Sequence, residues 1–135
     1  MERILIIDDE QPIRSMLRLM LERDGYEVVE APDGIEGIKA YRQNPTDLII
    51  TDLIMPNKDG IGMIIEIQKE YPEVKVIAMS GGGLNKPEGY LKGAKKLGAT
   101  CTLTKPIDRE KMLRAVKNIL KGTDPELEEP QTEPE

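Results

Sequence analysis

Apolar residues along this chain recur in two alternating rhythms. Short runs dense in Ile, Leu and Val at 4–7, 48–51 and 74–79 are separated by stretches in which apolar positions fall three and four apart. Runs of that length read as strands, and residues 26–30 and 100–104 complete a set of five. Between them, Ile13, Met16, Leu17 and Met20 mark an amphipathic helix, with Pro12 in its first turn and Gly25 past its end. Ile35, Ile38 and Tyr41 outline a second helix closed by Asn44-Pro45, and Ile61, Ile64 and Ile65 a third with Pro72 beyond it. Tyr90, Leu91, Ala94 and Leu97 outline a fourth that ends near Gly98. Met112, Ala115, Val116 and Ile119 form the stripe of a fifth, for which Asp108 is a good N-cap. Continuous apolar strands alternating with one-faced helices predict an α/β fold, a five-stranded parallel sheet covered on both sides. Right-handed crossovers leave few topologies. The favoured one is the flavodoxin-like, doubly wound order 2-1-3-4-5 with five helices.

The strand ends carry the chemistry. The first run stops at Asp8-Asp9, the third strand at Asp52, the fourth at Ser80 and the fifth at Lys105-Pro106. In an open parallel sheet these carboxyl ends share one edge, and strands 1 and 3 are neighbours across the switch point. Three carboxylates, a hydroxyl and a lysine would converge there. Packing the carboxylates together is costly unless a cation or protons neutralise them. Hard oxygen donors at an open edge suit Mg²⁺, which keeps waters and accepts a phosphate oxygen. A screened aspartate can then attack phosphorus, with Lys105 and Ser80 on the phosphoryl oxygens. Each residue has a duller use: Asp8-Asp9 near a helix start, Asp52 in a turn, Ser80 with Gly81-Gly82-Gly83 as a loop. One polar group at each of four strand ends is what favours the joint reading.

Composition narrows the field. The chain has no histidine, so it cannot autophosphorylate on histidine, act as a histidine phosphotransfer protein or build a His-ligated zinc site. Cys101, the single cysteine, excludes a disulfide framework and reads as small core filler. No signal peptide or membrane span is visible, and a cytoplasmic setting is expected. The net charge of −6 belongs to the end of the chain. Residues 122–135 hold six of the 25 acids and no base, which leaves 19 acids against 19 bases in residues 1–121. A neutral body gives no reason to expect nucleic-acid binding. Residues 1–121 are expected to form one domain and 122–135 an acidic disordered tail.

The ordered set Asp8-Asp9-Glu10, Asp52-Leu-Ile-Met-Pro56, Asp59-Gly60, Ser80-Gly-Gly-Gly, Leu97-Gly98-Ala99 and Lys105-Pro106 resembles the receiver domain of bacterial two-component response regulators. The match spans about residues 3–121 and implies the same strand order. The resemblance implies that Asp52 is the phosphoacceptor and itself a Mg²⁺ ligand, with Asp9 a direct ligand, Asp8 a ligand through water and the Ile54 carbonyl another. Lys105 would hold the phosphoryl group. The donor would be a sensor histidine kinase or a histidine phosphotransfer protein, and the chain would catalyse only its own phosphorylation and dephosphorylation. Family switching pairs the hydroxyl at Ser80 with an aromatic three residues before the lysine; here that position is Thr102. Ile107 stands where receivers usually have Phe, and the connection from Ser80 to Gly98 is a few residues long.

Other phosphoryl chemistries fit less well. A haloacid-dehalogenase-type phosphatase wants Asp-x-Asp at the first strand end, and a P-loop is absent. A flavodoxin would not put acids where the FMN phosphate sits. The expected function is a stand-alone receiver, or the receiver piece of a longer regulator. It would signal through the face of the helix over 90–97, the strand over 100–104 and the last helix to a downstream protein, without direct nucleic-acid or membrane contact. The alternative is a phosphorylation-independent protein-binding adaptor of the same fold.

Overall fold

The computed structural model describes residues 1–55, 60–80 and 98–125. Strands β1 (Arg3–Ile7), β2 (Glu27–Ala31), β3 (Leu48–Asp52), β4 (Val76–Ser80) and β5 (Cys101–Thr104) form one parallel sheet. Its order is β2-β1-β3-β4-β5, as the strand-helix alternation predicts. Helices α1 (Gln11–Arg23), α2 (Gly34–Gln43), α3 (Gly60–Glu70) and a C-terminal helix (Arg109–Lys121) follow β1, β2, β3 and β5. The helix expected over 90–97 lies outside the described residues, as do Gly81, Gly82, Gly83 and residues 126–135 of the acidic segment. No helix among the described residues is long and apolar enough to cross a membrane.

Why the central strands are apolar at every position follows from their alternation. Leu5, Ile7 and Ile49 join Ile38, Tyr41, Met63, Ile64 and Ile67, so this face packs under α2 and α3. Ile4, Ile6, Leu48 and Ile50 join Leu17, Leu21, Met112 and Val116, so the other face packs under α1 and the C-terminal helix. With both faces covered, polar residues have no outward side to occupy. Residues such as Leu17 and Leu21 are fully buried. Each contributes roughly 1.5–3 kcal/mol relative to exposure. Cys101 packs in the second cluster, in keeping with its reading as filler.

The helix stripes differ from the sequence reading in detail. In α1 the fully buried pair is Leu17 and Leu21, with Ile13, Met16 and Met20 at the margin. In α2, Ile35 is 44 % exposed although it was expected on the buried face. The buried positions are Gly34, Gly37, Ile38 and Tyr41, because the helix lies with Gly37 against Ile7. A Cβ at Gly37 would stand 2.4 Å from Ile7 Cδ1, so the close approach turns Ile35 outward. Asp108 caps the C-terminal helix as expected, accepting from the amides of Glu110 and Lys111. At the other end Gly122 adopts φ 79° and the Thr123 amide returns to the Asn118 carbonyl.

One glycine ties the fold to the strand end that matters most. The Gly60 amide donates to the Leu53 carbonyl at 2.9 Å. A Cβ on Gly60 would lie 2.2 Å from the Asp52 carbonyl oxygen and 2.8 Å from Leu53 Cα. Those neighbours are main chain and cannot rotate away. Gly60→Ala should therefore destabilise the domain by about 2–3 kcal/mol, read as a lower urea midpoint. Gly37→Ala meets only side-chain atoms of Ile7, not main chain, and should cost less than Gly60→Ala in the same measurement.

Candidate functional site

Strand register brings the acidic residues together. Ile7 of β1 pairs with Thr51 of β3, so Asp8 and Asp52 follow at the same level on neighbouring strands. Asp52 pairs with Met79, and Ser80 with Thr104. Two main-chain hydrogen bonds carry the ladder past the strands. The Leu53 amide donates to Met79 O at 2.9 Å, and the Lys105 amide to Ser80 O at 2.7 Å. The second bond delivers Lys105 to the edge where the carboxylates emerge.

Lys105 Nζ lies 2.9 Å from Asp8 Oδ2 and 3.1 Å from Asp52 Oδ2. The Asp8 side chain is fully buried, Asp52 7 % exposed and Lys105 14 % exposed. Each aspartate uses its other oxygen locally. Asp8 Oδ1 accepts from the Glu10 amide at 2.9 Å and Asp52 Oδ1 from the Ile54 amide at 3.3 Å. The turn-forming use of these residues and their gathering around a lysine thus coexist, one oxygen for each.

One ammonium serves two carboxylates, and the titration behaviour follows. Burial pushes the Asp52 carboxyl above the usual aspartate range. Lys105 pulls it back, the Asp8 charge pushes the same way as burial, and the net direction is up. For Lys105, burial alone would disfavour the ammonium, but its hydrogen bond to Asp8 and the Asp52 and Asp8 charges outweigh that and hold it above the ordinary lysine value. The lysine therefore stays charged while its acidic partners are in excess.

The remaining expected residues separate into two groups. Asp9 is exposed, and Ser80 is fully buried at the end of β4. The Ser80 hydroxyl oxygen has no hydrogen-bond partner among the described residues. Ile54, directly after the Asp52 turn, is 53 % exposed. Thr102 is not brought to the carboxylates: it pairs with Ala78, two residues back from the Ser80 edge, and is half-buried.

Carboxylate oxygens of Asp8, Asp9 and Glu10 lie within 4.8 Å of one another. Hard anionic oxygens at that spacing fit a divalent cation of the Mg²⁺ kind. Asp52 is joined to this group through Lys105, whereas Glu10 is a close third acid to which the motif assigns no ligand role. Its only sequence signal was three consecutive acids at a strand end. Arg14 and Glu30 were also missed. Arg14 Nη1 donates to the Asp8 carbonyl at 2.6 Å and its Nε to Glu30 Oε1 at 3.3 Å. Arg18 reaches the same Glu30 at 2.5 Å.

Known proteins resemble this chain over most of its length. Residues 4–117 match the family model described as response regulator receiver domain. The chemotaxis protein CheY of Treponema pallidum is 34% identical over 122 residues, covering 88% of this chain and 83% of that protein. The transcriptional regulatory protein GlrR of Escherichia coli is 33% identical over 126 residues, 93% of this chain, but the chain spans only 28% of that regulator's length. Among solved structures, a response regulator receiver domain protein from Clostridium thermocellum superposes with a TM-score of 0.84 at 33% identity, covering 90% of this chain and 96% of that one. The strand order agrees with the extent of these matches, and the chain belongs to the response regulator receiver domain family.

Proposed function

We propose that Asp52 accepts a phosphoryl group from a histidine kinase or a histidine phosphotransfer protein, with Mg²⁺ at the adjoining acids. Receiver domains are modules of two-component signalling, which supports the class of donor. The observation that carries the assignment to Asp52 is the shared ammonium. Asp52 is a nearly buried carboxylate, 3.1 Å from Lys105 and at the level of Asp8 on the neighbouring strand.

A carboxylate oxygen of Asp52 attacks phosphorus, and the N–P bond of the donor phosphohistidine breaks. Its electron pair stays on the imidazole nitrogen, which takes up a proton. Lys105, already within reach of Oδ2, donates to a phosphoryl oxygen once the acyl phosphate exists. The buried Ser80 hydroxyl, an unpartnered donor among the described residues, takes a second oxygen. Asp8, Asp9, Asp52 and the Ile54 carbonyl would hold Mg²⁺, which would neutralise phosphoryl charge when bound.

Signalling would use β5, the C-terminal helix and the segment over 90–97. A cavity of about 350 Å³ lies on this face, lined by residues that include Thr102, Leu103, Thr104, Lys111 and Arg114. The rival reading, an adaptor that works without phosphate, draws on Thr102 lying away from the carboxylates without an aromatic ring to reorient. Intact mass after treatment with acetyl phosphate and Mg²⁺ separates the two. The parent should gain one phosphoryl group, while Asp52→Asn, or the parent in excess EDTA, should gain none and stay folded. A parent that gains nothing favours the adaptor.

Asp9 should matter more for the cation than Asp8. Both Asp8 oxygens are already engaged by Lys105 and the Glu10 amide, whereas Asp9 is exposed. Titration calorimetry should show a larger loss of Mg²⁺ affinity in Asp9→Asn than in Asp8→Asn, and equal losses would contradict the ranking.

The Asp52 shift fixes a sign for stability against pH. A carboxyl raised in the folded state holds its proton better folded than unfolded. Its contribution is fully present below the unfolded value and is lost as pH rises through the folded one. Without Mg²⁺ at neutral pH, Asp52→Asn should therefore be more stable than the parent. The gap should shrink in acid, where Asp52 itself is protonated, and urea melts across that range check it.

A further inference from the structure

We infer that Arg14 is a positioning residue for the cation site, and that Glu30 is there to keep it electrically neutral; this rests on the Mg²⁺ reading above. Asp8 is held at every polar atom. Its amide donates to Ala31 O at 3.2 Å, Oδ1 accepts from Glu10 and Oδ2 from Lys105. Its carbonyl accepts from Arg14 Nη1 at 2.6 Å. That carbonyl lies just past the end of β1, where the strand's own pairing stops. A buried acceptor there needs a donor, and α1 provides one from its first turns.

The Asp8 carbonyl shares a peptide plane with the Asp9 nitrogen. Fixing the oxygen fixes that plane, and with it the axis about which Asp9 is aimed. Asp9 needs such control, because its exposed side chain has no hydrogen-bond partner of its own among the described residues. Arg14 thus orders the Asp8-Asp9-Glu10 cluster before a cation arrives, which removes ordering cost from binding.

A guanidinium this close to a cation site would also repel the cation. Glu30 answers that. It lies in β2 on the same face as Val28, under α1, and takes Arg14 Nε at 3.3 Å and Arg18 Nη1 at 2.5 Å. The Arg14–Glu30 couple supplies a directed hydrogen bond without adding net positive charge. Arg18 touches the same carboxylate and no atom of Asp8, which makes it a natural control.

The test is Mg²⁺ affinity of the full chain by titration calorimetry, at a temperature where every variant is folded. Arg14→Met should weaken binding about tenfold or more, and the loss should persist as salt is raised, because it is a loss of orientation. Arg14→Lys should recover part of it, since an ammonium reaches one partner but cannot fork between Glu30 and the Asp8 carbonyl. If Arg14→Met does not fold, Arg14→Lys carries the comparison and must itself bind more weakly than the parent. Arg18→Met should stay within about twofold of the parent, a far smaller change than that expected for an orienting contact. Glu30→Gln should weaken binding in a way that added salt relieves. Parent-like affinity in both Arg14 variants, or an equal loss in Arg18→Met, would overturn the inference while leaving the Mg²⁺ reading intact. A parent that binds no Mg²⁺ overturns both.

Discussion

A single ammonium between two buried carboxylates is the constraint around which the functional edge is arranged. Asp8 and Asp52 come from adjacent strands, and Lys105 follows the far edge strand, 97 and 53 positions away in sequence. Only a sheet in which β1, β3, β4 and β5 lie side by side brings the three together. The arrangement leaves one negative charge uncompensated, and adding the exposed Asp9 and Glu10 deepens that field. Strand packing tolerates the excess because Lys105 holds the two most buried acids. The same excess makes the edge receptive to a divalent cation. Stability and the proposed chemistry therefore pull against each other at Asp52: its burial raises the cost of its charge, and attack on phosphorus would need that charge.

How much of this was legible depends on whether a residue's role is set along the chain or across it. β1, β3 and β4 were readable because burial on both faces leaves an unbroken apolar run. Asp8, Asp52, Ser80 and Lys105 were readable as site candidates because each ends a strand. The cap at Asp108 was readable because it is a local hydrogen-bond problem with a local solution. By contrast, Ile35 looked like part of a buried stripe, and only the close approach of Gly37 to Ile7 shows that α2 is rotated away from it. Arg14 and Glu30 carry no signal along the chain, and only α1 laid against β2 brings them together. Gly60 read as part of a turn motif, and its contact with the Asp52 main chain depends on the angle at which α3 begins.

The two apolar clusters on opposite sides of the sheet have different companions. The cluster under α2 and α3 reaches the site through Leu53 and Met55, immediately after Asp52. The cluster under α1 and the C-terminal helix reaches it through Met79, beside Ser80, and is rimmed by the Arg14–Glu30–Arg18 charges. Substitutions in the first bear on the main chain that follows Asp52. Those in the second are felt by the groups that surround it.

The hydrogen bond from the Lys105 amide to the Ser80 carbonyl, 2.7 Å long, makes these two residues mechanically one part. Their side chains carry different chemistry, a cation and a hydroxyl, yet their main chains are rungs of the same ladder. A pull on the Ser80 hydroxyl is shared with Lys105 unless that rung breaks, and breaking it forfeits about 1 kcal/mol. The two groups that would grip an anion on Asp52 are therefore not independent fingers. They would close as a pincer with a common hinge, so that a displacement of one strand end would re-aim the other.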